Sequence, residues 1–159
     1  MDGSASPEFD HLTLRVDLQE AWLADVGFGD SFVEPLRLEP GLEQKQGDRV
    51  FRIVEQSAAW RVERKDGDAV WKPEYQFTLQ PRALEEFADM CRYHQTSPES
   101  FFTKKQLCTR ATPEGRVTLS DMKLVTTRNG SKEERVLASE QERRRILAQE
   151  FGVILQGPS

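Results

Sequence analysis

The stretch FDHLTLRVDLQEAWLADVGFG, residues 9–29, decides the architecture. Leu12, Leu14 and Val16 alternate with polar residues, and Trp22, Ala24 and Val26 do the same after a short break. Alternation with a period of two is what a half-buried β-strand requires, so the stretch predicts a β-hairpin. Centring the hairpin on Leu18 pairs Leu12 with Ala24 and Leu14 with Trp22, which makes one face uniformly apolar, as register selection demands. The same register sets His11 opposite Asp25. Directly opposed residues have Cβ atoms roughly 4.5–5.5 Å apart, close enough for a carboxylate to accept from an imidazole N–H.

Downstream, extended segments are predicted at Phe32–Leu38, Arg49–Glu55, Ala59–Arg64 and Val70–Leu79. Glu39-Pro40-Gly41, Gln46-Gly47-Asp48 and Lys65-Asp66-Gly67-Asp68 supply the turns between them. Short strands at this spacing predict an antiparallel β-barrel or a strongly curved sheet over residues 1–77. From residue 78 the character changes. Pro81 opens a predicted helix whose apolar side carries Leu84, Phe87 and a buried Cys91. Strands follow at Gln106–Ala111, Arg116–Leu119, Lys123–Thr127 and Glu134–Leu137. A last helix starts at Ser139, with Glu142 completing a capping box, and ends near Gly152. Residues 78–159 therefore read as a small α/β unit, and the chain as α+β.

Composition narrows the function. The 159 residues are 37% hydrophobic and 31% charged, the balance of a globular chain able to bury a core. The net charge is −5, and Arg143-Arg144-Arg145 sits among Glu140, Glu142 and Glu150, so no basic stripe points to nucleic acid. No apolar run approaches the roughly 18 residues that span a bilayer. Met1–Glu8 carries no basic-then-apolar leader, and two cysteines, Cys91 and Cys108, are expected as reduced thiols in a cytoplasmic setting. With two His and two Cys, no metal site is expected.

An imidazole held by a carboxylate has one ring nitrogen fixed as donor and the other free to take a proton, which is how a thiol or hydroxyl nucleophile is activated. The same contact also serves as a plain hydrogen bond within a sheet. Gly27 and Gly29 flank Phe28 and let the backbone turn sharply or approach a ligand closely, with Phe28 lining a pocket or filling the core beside a bulge.

At these residues the chain resembles the arylamine N-acetyltransferases. FDHLTLRV and WLADVGFGDSF are similar to that family's second and third active-site blocks. The likeness continues through FTLQPRALEEFADMCRYHQTSPESFFTKKQLC and TPEGRVTLS to the terminal IL-x-x-x-FG-x-x-L at Ile146 to Leu155. The resemblance implies a Cys–His–Asp triad that passes an acetyl group from acetyl-CoA to an arylamine, hydrazine or hydroxylamine nitrogen. It places the catalytic roles on His11 and Asp25 and acceptor binding on Phe28 with Gly29. It also sets Tyr93 near the coenzyme. The implied fold is a helical bundle, then a β-barrel, then an α/β lid, of which this chain would be most of the barrel and the lid. The family's Arg-Gly-Gly-x-Cys block, which carries the nucleophile and oxyanion donors, has no counterpart ahead of His11, and Cys91 and Cys108 lie outside such a block. The resemblance thus implies half a site, for which an N-terminal helical fragment in trans is one candidate partner. Exposure of Leu12, Leu14, Trp22 and Phe28 without the bundle leads to an expectation of self-association. The other reading is a non-catalytic binding or assembly protein derived from the same family.

Overall fold

The computed structural model describes residues 7–57 and 59–156, in two compact units divided between Phe87 and Ala88. In the first, β1 (Leu14–Asp17), β2 (Ala21–Ala24) and β3 (Leu36–Arg37) form one antiparallel sheet in that order. A second antiparallel sheet runs β4 (Gln44–Gln46), β5 (Arg49–Gln56), β6 (Ala59–Asp66) and β7 (Lys72–Phe77). Leu23, Phe32, Leu36, Phe51, Ile53 and Val62 pack together as the buried core of this unit. A 3-10 turn at Leu84–Phe87 closes it, and the ring of Phe87 meets Phe9 edge-on at 5.2 Å.

The expected closed barrel is not what the hydrogen bonds describe, for the two sheets are separate ladders. Where a barrel would need β3 to pair with β4 through the backbone, glutamine side chains make the connection. Gln44 accepts from the Arg37 N–H at 2.7 Å and donates to the Arg37 carbonyl at 3.0 Å. Gln46 accepts from the N–H groups of Val33 and Glu34 and donates to the Glu34 carbonyl. Side-chain amides reproduce the donor–acceptor pair of a peptide group, so β4 can be wholly polar and still be held.

The first hairpin forms, but two residues out of the expected register: Leu14 pairs with Ala24 and Val16 with Trp22, and the turn is Leu18 to Glu20. A slip of two preserves the alternation, so apolarity does not choose between the registers, and the turn holds no glycine or asparagine to fix one. The apolar face is also not the core face. Leu23, on the opposite face, is 1% exposed, whereas Leu14 is 55% exposed. Val16, Leu18, Trp22, Ala24, Glu34 and Pro35 line an open groove of about 440 Å³ on that outer side.

In the second unit, α1 (Ala88–Thr96) and α2 (Phe101–Lys104) precede an antiparallel meander of β8 (Leu107–Thr112), β9 (Gly115–Ser120), β10 (Lys123–Arg128) and β11 (Ser131–Val136). The last helix, α3 (Glu140–Phe151), packs Ile146 and Leu147 against Leu119 and Leu137. Its N-cap forms with a shifted partner: Ser139 Oγ accepts from the Glu142 N–H at 3.1 Å, the Glu142 carboxylate accepts from the Ala138 N–H at 2.8 Å, and Gly152 caps the C-terminus. Cys91 is exposed rather than buried, and no residue of α1 is buried. The stripe Leu84–Phe87–Cys91 presumes one α-helix, yet its first turn is 3-10, with a different rotation per residue. Both cysteines are free thiols, and among the described residues no helix is long and apolar enough to cross a membrane.

Candidate functional site

The face of the hairpin turned toward the core carries the contact between His11 and Asp25. His11 Nε2 lies 2.6 Å from Asp25 Oδ2, with side-chain exposures of 26% and 2%. An ionised carboxylate only accepts, so Nε2 carries the proton and Nδ1 is left as the basic nitrogen. The observed register, continued past β1, sets Thr13 opposite Asp25 and His11 opposite Gly27. The imidazole therefore reaches Asp25 diagonally rather than across a rung. Gly27 makes room for it: a Cβ there would stand 3.3 Å from His11 Cε1.

Asp25 also organises the loop that follows. Its Oδ1 accepts from the N–H groups of Gly27 at 2.9 Å and Phe28 at 3.1 Å. Gly29 donates to the Gly27 carbonyl with φ at +39°, a left-handed conformation that favours glycine. The resulting tight bend presents Phe28 to His11, ring centroids 5.3 Å apart. Burial pushes the Asp25 carboxyl up, but the hydrogen bonds from His11 and Gly27 and the charge of His11 outweigh it, leaving Asp25 below its ordinary value of 3.8.

A depressed carboxyl contributes stability that is present above its unfolded value and lost as pH falls through the folded one. Urea midpoints of the wild type and Asp25→Asn are therefore expected to differ most at neutral pH and to converge as pH falls below 3.8. A gap that stays constant from pH 7 to pH 2 would show that the carboxylate is not stabilised by folding.

Tyr75 completes an aromatic wall that sequence reasoning missed. Its ring lies 5.5 Å from His11 and 4.7 Å from Phe28. The hydroxyl is buried beside Thr13 and Asp25 without a hydrogen bond of normal geometry, and burial, with the Asp25 carboxylate, pushes the phenol up so that it stays neutral. The one sequence signal was an aromatic in a predicted strand, which marks core as readily as site. Beyond the wall, Asp30 accepts both guanidinium nitrogens of Arg49 at 2.8 and 2.9 Å, and Ser31 contacts Glu74. Burial raises the Glu74 carboxyl against the opposing effects of Ser31, Arg64 and Arg49.

His11, Asp25, Phe28 and Gly29 thus stand together in the first unit. Tyr93 lies in the second, exposed on α1 and edge-on to His94 at 5.5 Å. Cys91 and Cys108 are in the second unit too. Cys108 is half-buried on β8, and burial raises its thiol, the opposite of what activates a nucleophile.

Comparison with known proteins bears on this arrangement. The N-acetyltransferase family profile matches residues 1–159. The pineal gland isozyme NAT-10 arylamine N-acetyltransferase of Gallus gallus is 32% identical over 92% of this chain and 59% of its own length. Human arylamine N-acetyltransferase 1 is 33% identical with the same coverage. The arylamine N-acetyltransferase structure from Salmonella typhimurium superposes with a TM-score of 0.86 at 25% identity, covering 98% of this chain and 57% of that one. The Mycobacterium marinum enzyme, solved in complex with CoA, shares the fold with a TM-score of 0.83 at 24% identity, over 96% of this chain and 57% of its own. The chain spans somewhat under three fifths of the length of the relatives it matches.

Proposed function

Because the chain belongs to the arylamine N-acetyltransferase family, we propose that it supplies the histidine and aspartate of an acetyl-CoA-dependent acetyl transfer to an arylamine or hydrazine nitrogen. The observation that carries the reading is the 2.6 Å contact between a part-exposed His11 and a buried Asp25, with Phe28 against the imidazole. Nδ1 of His11 takes the proton of a cysteine thiol. The thiolate attacks the acetyl carbonyl of acetyl-CoA, and CoA leaves with that proton. The amine then attacks the thioester, giving its proton to His11 and restoring the thiol. Asp25 holds the ring tautomer and stabilises the imidazolium. Phe28 faces the acceptor and Tyr93 the coenzyme. The cysteine comes from a family block lying before the histidine strand, since neither Cys91 nor Cys108 stands in an Arg-Gly-Gly-x-Cys sequence.

The test is a chimera in which residues 7–159 follow the cysteine-bearing segment of a bacterial relative. Thioester formation from acetyl-CoA and N-acetylation of a simple arylamine are expected from the chimera, and no turnover from residues 1–159 alone. Turnover by the chain alone that is abolished at Cys91 or Cys108 would overturn the division of labour. A folded chimera that binds acceptor without transferring acetyl would favour a binding protein instead.

The groove and exposed face of the first hairpin are the docking surface proposed for that cysteine-bearing segment. Monomers rarely leave large contiguous apolar patches open, and covering apolar area contributes roughly 25 cal/mol per Å². Residues 1–159 alone are therefore expected to self-associate through Leu14, Val16 and Trp22. Sedimentation at tens of micromolar should show a dimer that Val16→Lys disperses; a monomeric wild type would remove the proposal.

A further inference from the structure

The loop between β2 and β3 carries Phe28 between two glycines, whose missing side chains leave the bend to be held by hydrogen bonds and by what its two ends are tied to. Its near end is tied by the Asp25 carboxylate. Its far end is tied by three strands of the other sheet. Arg49 on β5 grips the Asp30 carboxylate as a bidentate fork, and Arg64 on β6 donates to the Asp30 carbonyl at 2.7 Å. Glu74 on β7 takes the buried Ser31 hydroxyl and pairs with Arg64 at 2.8 Å. Glu74 is where the ladder breaks register: Val62 pairs with Tyr75 and Glu63 with Pro73, leaving Glu74 as the extra residue of a β-bulge. A bulge re-aims a side chain that strict alternation would send to the opposite face. Consecutive residues therefore serve one loop, Tyr75 against the Phe28 ring and Glu74 at Ser31.

We propose that Arg49, Arg64 and Glu74 are positioning residues which clamp the far end of this loop, hold Phe28 against His11 and Tyr75, and so fix the width of the aromatic wall the acceptor meets. The statement about the acceptor rests on the acetyl-transfer reading above; the clamp does not. The Asp30–Arg49 fork is partly solvent-exposed, at 51% and 35%, so its share of overall stability is small, and its effect is on where the loop sits.

The ring resonances of His11 report the clamp without turnover, because the Phe28 and Tyr75 rings shift them. In residues 1–159, Arg49→Gln and Glu74→Gln are expected to move the His11 Cε1 proton and broaden the Phe28 ring signals. Asp30→Arg combined with Arg49→Asp should return both toward wild type, and Arg49→Lys, which keeps the charge but not the fork, should return them in part. In an active chimera, Arg49→Gln should raise the acceptor KM on the order of tenfold, the scale of a small misplacement, and leave thioester formation from acetyl-CoA unchanged. Unmoved His11 signals in folded Arg49→Gln and Asp30→Asn overturn the clamp. An equal fall in both half-reactions overturns the statement that the clamp sets the wall the acceptor meets. Moved signals beside an inactive chimera leave the clamp standing and reject the acetyl-transfer reading.

Discussion

Asp25→Asn in the chimera lowers single-turnover thioester formation by roughly a thousand- to ten-thousand-fold, the scale on which a triad loses its oriented acid partner. The reason is the tautomer. Asp25 Oδ2 only accepts, which pins the ring proton on Nε2 and keeps Nδ1 basic. An asparagine amide turned with its nitrogen toward the ring donates to Nε2, moves the proton to Nδ1 and leaves no base. The carbonyl of that same asparagine can stay on the N–H groups of Gly27 and Phe28, so the loop survives and the loss is chemical. His11→Gln is expected to lose as much, and the double variant little more, since the two residues act as one unit. Stopped-flow acetylation of the chimera by acetyl-CoA measures all three. A loss under tenfold in Asp25→Asn would mean that His11 is oriented by something else.

The His11–Asp25 contact was legible in the sequence because both residues fall on one face of a two-periodic hairpin in either register. The register itself was not, since the slip to Leu14–Ala24 keeps every face. Local signals did well: Ser139, Glu142 and Gly152 mark α3. Signals spread along the chain did not survive the reading. Tyr75 is far in sequence from His11, and an aromatic on a strand announces no partner. Arg49 and Glu74 reach Asp30 and Ser31 over 19 and 43 positions, and an arginine or glutamate on an amphipathic strand looks like solvated surface. The polar strand β4 went unread, its last residue Gln46 being assigned to a turn, because its purpose, bonding backbone through Gln44 and Gln46, leaves no periodic trace. The apolar hairpin face was expected to be the packed one, but the core of these residues lies on the other side.

That assignment of faces predicts the largest stability effect. Phe51→Ala is expected to cost about 3–5 kcal/mol, the usual range for truncating a buried aromatic. Phe51 is 1% exposed, packs with Leu23, Leu36, Ile53 and Val62, and meets Phe32 in a T-shaped contact at 5.9 Å. Such a loss is a large fraction of the roughly 5–15 kcal/mol that holds a typical domain together. Leu14→Ala, on the outward face at 55% exposure, should change stability by no more than about 0.5 kcal/mol in residues 1–159 diluted below the concentration at which they associate. The second unit has its own core of Leu119, Leu137, Ile146 and Leu147, so the damage should stay in the first. Urea unfolding of Phe51→Ala is then expected to split, with an early loss of the first unit and a later transition close to the wild-type position. Phe51→Leu, which keeps most of the volume, should show the same order with a smaller displacement. If Leu14→Ala costs as much as Phe51→Ala, the outer face is packed in solution. The inward side of the hairpin would then not be the only one that folding buries.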